Sequence, residues 1–193
     1  MRHGHRRKLI LAFACALCLA PVGRSPATEM PDLPQLIQML RPPGERQSPS
    51  FSTTALTSSR ARPAAEEAAA LTTAPQGTAA ATVALPFPPG SATLTADAEK
   101  MLEALARALS APELARYRFR IEGHTDTVGE APANLALSAR RAAAVREHLV
   151  SRSGVAASRL DAVGLGETQL LVQTPDATPE PRNRRVQIVN IGG

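Results

Sequence analysis

The sequence predicts an α+β domain: a mixed four-stranded sheet with helices packed on one side, in the order β-α-β-α-β-β, preceded by a signal peptide and a disordered linker. Three observations carry this. Arg118 to Glu122 and Arg185 to Ile191 alternate apolar and polar residues with the period of two that marks a strand with one buried face. Two intervening stretches carry apolar residues at helical spacing. Before about Ala80 the chain is rich in Pro, Ser, Thr and Ala without any period.

Met1 to Lys8 is basic, Leu9 to Ala20 is an apolar run, and Pro21 to Ala27 is short and polar. This is the layout of a secretory signal peptide, with cleavage expected after Ala27, where Ser25 and Ala27 supply small residues. The apolar run is too short to span a bilayer, which takes roughly 20 residues, so no transmembrane span is expected in the mature chain. Cys15 and Cys18 stand in this run as a CxxC pair, read as apolar filler rather than a redox or zinc pair. Lipidation of either cysteine is the alternative. Ala12 is a poor residue for it upstream of Cys15, and Leu17 is wrong before Cys18.

The formal charge of +5 belongs to this leader: residues 1–27 hold five basic side chains and no acid, so the remainder is neutral. A neutral chain with no Trp and one Tyr has neither the field nor the stacking platforms for nucleic acid. Asp32 to Leu40 is expected as a short amphipathic helix (Leu33, Leu36, Ile37, Leu40) stopped by Pro42-Pro43, docking on a protein partner or packing on its own domain, or too short to be stable alone. Pro42 to about Ala79 reads as an extended linker. This gives 1–27 as signal peptide, 28–79 as short helix and linker, and 80–193 as the folded domain.

Within that domain, Thr82 to Phe87 is a β-rich run with Pro86 at its end. Thr95 is a candidate N-cap, Asp97 and Glu99 favour the helix dipole, and Met101, Leu102, Leu105 and Leu109 form the apolar stripe. After the strand at Arg118, Gly123-His124-Thr125-Asp126 turns the chain, and Val128 to Ala133 reads as a loop. From Asn134 to about Ser151 the pattern is helical, with Asn134, Ser138, Arg141 and Val145 near one azimuth. An arginine on a core-facing stripe needs a partner, and Asp126 at the strand's end is the candidate. Leu160 to Gly164 is a third strand, Gly166 to Arg182 a long loop, and Arg185 to Ile191 the last strand.

The run GHTD, followed by NxxLSxxRA, resembles the OmpA-like peptidoglycan-binding domain (OmpA/Pal/MotB type). Phe87-Pro-Pro-Gly-Ser-Ala-Thr-Leu, Ser158-Arg-Leu, Gly164-Leu-Gly-Glu167 and Asn183-Arg-Arg-Val186 follow in that family's order over roughly Ala80 to Gly193. The resemblance implies a Gram-negative envelope protein of the periplasm, associated with the outer membrane, that holds the meso-diaminopimelate side chain of a peptidoglycan stem peptide without a cofactor. Asp126 would take the ammonium and Arg141 the carboxylate, the latter through a bidentate fork. Thr125 and Asn134 would support them, with Asn183 and Arg184 at the border. Two positions depart from the family: Ala133 and Leu165 stand where relatives often carry aromatics. Asp126 and Arg141 also fit a plain ion pair locking helix to strand. His124 with Asp126 has no further partner to make a metal or general-base set, so no catalysis is expected.

Overall fold

The computed structural model describes residues 31–45 and 72–193. The expected signal peptide, both cysteines and most of the expected linker lie outside the described residues. Four strands form one sheet: β1 (Ala80–Val83), β2 (Arg118–His124), β3 (Leu160–Gly166) and β4 (Val186–Gly192). Their spatial order is β1-β4-β2-β3; β4 is antiparallel to both neighbours, and β2 and β3 are parallel. Among the described residues three α-helices accompany them: α1 (Leu33–Leu40), α2 (Ala96–Leu109) and α3 (Ala131–Ser151). This is the mixed four-stranded α+β architecture that the alternating strands and helical stripes predict. Among the described residues no helix is long and apolar enough to cross a membrane.

The core follows from the two periodicities. Phe119 and Ile121 of β2, Leu160 of β3 and Val186 and Ile188 of β4 point to one face, where they meet Leu102, Leu105 and Leu109 of α2 and Val145 and Leu149 of α3. Thr95 caps α2 as its sequence position predicts, its hydroxyl accepting the Ala98 N–H at 3.2 Å. On α3 the buried residues are Asn134, Ser138, Arg141, Ala142, Val145 and Leu149, the azimuth read from the 3.6 period.

Some boundaries differ from the sequence reading. The first strand is Ala80–Val83 rather than Thr82 to Phe87, because Pro86 has no N–H and Leu85 donates locally to Val83 O at 3.1 Å. Helix α3 begins at Ala131 rather than Asn134. Pro132 sits in the first turn, where a missing N–H costs nothing.

Helix α3 lies unusually close to the sheet. A Cβ at Gly123 would stand 2.2 Å from Ser138 O, and one at Gly164 would stand 2.3 Å from Ala139 N. Ser138 fastens this contact: its Oγ accepts the Gly166 N–H at 2.9 Å and donates to Leu135 O at 2.8 Å.

Helix α1 opens with a capping box, Asp32 Oδ1 accepting the Gln35 N–H at 2.9 Å and Gln35 Oε1 accepting the Asp32 N–H at 3.3 Å. Its Leu36 and Leu40 are fully buried in the domain core, and Asn190 donates to Leu40 O at 2.8 Å. The apolar stripe that would serve a protein partner is therefore occupied within the chain, and only Leu33 is left exposed on it. Just beyond, Glu45 pairs with Arg116 and accepts the Tyr117 hydroxyl. Residues 72–79, expected as the end of the linker, also pack on the sheet. Thr73 donates its N–H to Gln187 at 3.1 Å, and Ala79 O accepts the Asn190 N–H at 2.8 Å.

Two substitutions test these contacts by urea denaturation. Leu40→Ala is expected to cost about 2–5 kcal/mol, the range for emptying a buried leucine site. Gly164→Ala is expected to cost about 1–3 kcal/mol or more, because its methyl meets backbone that cannot swing away. Wild-type midpoints in these variants would mean that α1 is undocked or that α3 is further from β3.

Candidate functional site

The strands fix a polar corner where β2 ends, β4 begins and α3 starts. Strand β2 places His124 at its last position, and the chain turns through Thr125, Asp126 and Thr127, all buried. Thr125 donates its N–H to Gly166 O at 2.9 Å. Its hydroxyl has no partner among the described residues.

Asp126, 6% exposed, gathers three donors. Its Oδ2 accepts Arg184 Nη1 at 2.6 Å and the Glu180 N–H at 3.3 Å; its Oδ1 accepts the Val128 N–H at 3.4 Å. Thr127 stitches the same turn to the long loop after β3: its hydroxyl donates to Pro175 O at 2.7 Å, and its carbonyl accepts the Ala177 N–H at 2.9 Å. Asn134, on the first full turn of α3, holds the turn from the other side. Its Nδ2 donates to Glu167 Oε2 at 2.6 Å, Val128 O at 3.2 Å and Asp126 O at 3.4 Å.

Arg141 lies two turns further along α3 and is 7% exposed. Its Nε donates to Ser91 O at 2.9 Å and its Nη2 to Pro88 O at 3.4 Å, and its guanidinium carbon sits 4.9 Å from the Phe87 ring centroid. The β1–α2 loop thus holds the guanidinium with carbonyls and a ring instead of a carboxylate. Burial pushes the Arg141 pKa down, the Arg184 charge adds to that, and Asp126 opposes it.

The sequence reading offered Asp126 as the partner of Arg141. The carboxylate's direct ion pair is with Arg184, which enters from the segment before β4. Arg141 and Arg184 line one open cleft of about 230 Å³, together with Phe87, His124 and Arg185. Asn183 faces away from it. Fully buried, it exchanges two hydrogen bonds with Val172, at 2.8 Å and 2.9 Å, and pins the long loop.

Phe87, His124 and Arg185 were not assigned to the site from sequence. Each stands in a quoted motif, but nothing local tells which side chain of a motif reaches a cleft. Arg185, 3% exposed, donates to Thr73 Oγ1 at 2.8 Å and Gln169 O at 3.2 Å; burial brings its pKa down to about 10, with Glu122 opposing. His124 is 1% exposed, and neither ring nitrogen has a hydrogen-bond partner among the described residues. Its Nε2 stands 3.9 Å from Glu122. Burial pushes the imidazole below its ordinary value, and the pull of Glu122 does not overcome it. Glu122 itself is pushed up by burial, but His124 and Arg120 outweigh that and hold it low.

The model of the OmpA family matches residues 86–184. The chain is 39% identical over 99 residues to a peptidoglycan-associated lipoprotein of Mesorhizobium japonicum, covering 51% of this chain and 57% of that protein. It is 38% identical over 102 residues to the peptidoglycan-binding protein ArfA of Mycobacterium bovis, covering 52% of this chain and 29% of that protein. The chain therefore spans less than two-thirds of the length of the curated relatives it matches. Among solved structures, the cell wall anchor of the T6SS from Pseudomonas aeruginosa superposes with a TM-score of 0.50 at 27% identity, covering 60% of this chain and 82% of that one.

The buried imidazole sets a pH dependence. Because the folded pKa of His124 is lowered, the unfolded chain binds the extra proton first. Stability is fully present above about pH 6.5 and falls as pH drops below it. The expected loss is at most about 1.4 kcal/mol per pH unit from this group. Urea titrations at pH 7.5, 6.5 and 5.5 check it; flat stability across that range would place His124 in water.

Proposed function

Because the chain belongs to the OmpA family, we propose that it binds peptidoglycan non-covalently, gripping the free zwitterionic end of meso-diaminopimelate in a stem peptide, and so serves as an anchor within the cell envelope. The observation that carries this reading is a carboxylate at the end of β2 and a guanidinium two turns past Asn134 on α3, not paired with each other. Asp126 is held by the half-exposed Arg184 and two backbone N–H groups, and Arg141 is buried against carbonyls and a ring.

In this reading the ligand's ammonium takes Asp126 and frees Arg184. Arg141 uses two of its five N–H groups on Ser91 and Pro88, which leaves three donors for a carboxylate in the planar geometry that a guanidinium matches. Thr125 and Asn134 contribute as supports, the latter by holding the Asp126 turn against α3. The corner brings together an anion and a cation, with no nucleophile and base in contact among the described residues, and this supports a reading of binding rather than catalysis. Residues 1–27 direct export, and the described domain then lies in the periplasm, in reach of the wall at the outer membrane.

Sedimentation with purified peptidoglycan tests this. Asp126→Ala and Arg141→Ala are each expected to weaken binding by at least about tenfold, in line with about 2–5 kcal/mol for truncating one member of a desolvated charge pair. Wall material with lysine in place of diaminopimelate, which lacks the second carboxylate, is expected to bind more weakly than the diaminopimelate form. Unchanged sedimentation of both variants would move the function to protein–protein contact.

A further inference from the structure

We propose that the cleft carries a second carboxylate subsite, built by Arg184 and Arg185 with His124 beside them, and that it selects stem peptides offering another free carboxylate near the zwitterionic end. This rests on the wall-binding reading and concerns which stem the site prefers.

The argument is one of charge balance in a confined space. Three guanidiniums line the cleft. Among the described residues Asp126 is the one acid within ion-pair distance of any of them, and it is bound to Arg184. Arg141 and Arg185 are both buried and are held by carbonyls and a hydroxyl. Glu122, the acid that acts on Arg185, already serves Arg120 at 2.8 Å and Gln187 at 3.1 Å. An uncompensated buried charge is costly, so the cleft is poised for anions.

A zwitterionic end does not settle that account, since it brings no net charge. Its ammonium occupies Asp126 and releases Arg184, so after one carboxylate reaches Arg141, two guanidiniums still face the cleft without an anion. Next to them His124 keeps both ring nitrogens unpartnered among the described residues, and the Arg185 Nε is likewise without an acceptor. A neutral imidazole still offers one N–H. The cleft of about 230 Å³ is several times the roughly 30 Å³ share of one water, room for two small charged groups. A carboxylate one or two residues along the stem meets these donors.

Calorimetric titration of the full chain with the tetrapeptide L-Ala-γ-D-Glu-meso-diaminopimelyl-D-Ala tests this. Two derivatives accompany it, one amidated at the glutamyl α-carboxylate and one at the D-Ala carboxylate. One of the two amides is expected to bind about tenfold more weakly than the parent, as for loss of a charge-assisted hydrogen bond, and identifies which carboxylate sits there. In Arg185→Gln that difference is expected to shrink toward one. Equal affinity of all three peptides for the wild-type chain overturns the second subsite and leaves the wall-binding reading intact. No binding of any of them overturns both. The wild-type comparison decides even where the Arg185 variant fails to fold.

Discussion

The close approach of α3 backbone to the backbone of β2 and β3 positions the side chains of the site. It exists because Gly123 and Gly164 have no side chain to hold the layers apart, and because Ser138 ties the helix to the Gly166 N–H. Ser138 lies between Asn134 and Arg141 on the same buried face. Fixing it therefore fixes where both of those side chains emerge. Four residues back, Asn134 meets the turn that carries Asp126. Three residues on, Arg141 meets the β1–α2 loop. A helix displaced outward by the width of a methyl group would lose both meetings together.

Around that contact the molecule stores charge instead of apolar packing. Arg120, Glu122 and Gln187 form a hydrogen-bonded group on the sheet face away from the helices, with Arg185 and His124 continuing it toward the cleft. Such burial does not favour the fold by itself, since desolvation of each ion offsets what its neighbours return. Glu122 is fully engaged and its carboxyl stays low; Arg185 is not, and its pKa falls. The contrast along one face marks where structural pairing stops and the wish for an outside anion begins.

How far the sequence discloses this depends on the range of the interaction. The helical azimuth of Asn134, Ser138, Arg141 and Val145, the Thr95 cap and the alternation of β2 and β4 are local patterns, and all were legible. Pairings across long separations were not. Arg184 reaches Asp126 over 58 positions and Arg185 reaches Thr73 over 112, and neither leaves a local trace. Motif membership misleads in the same way. Arg159, in one of the quoted motifs, caps carbonyls of Leu109, Leu114 and Tyr117 near the N-terminal end of β2. At that end it holds the fold together and plays no part in the cleft. Composition places residues 72–79 in the linker, yet they pack on the sheet through backbone hydrogen bonds, which composition does not encode.

The placement of α1 completes the division of labour. Eight residues make a helix too short to persist alone in water, so α1 depends on the core that receives Leu36 and Leu40 and on the Asn190 amide that holds its last carbonyl. Those contacts, like the Glu45–Tyr117 bond that follows them, lie where β2 begins and β4 ends. The cleft lies at the other end of the same two strands, where β2 ends and β4 begins. Helix α1 and the cleft share no side chain. The helix thus joins the domain at the pole away from the cleft.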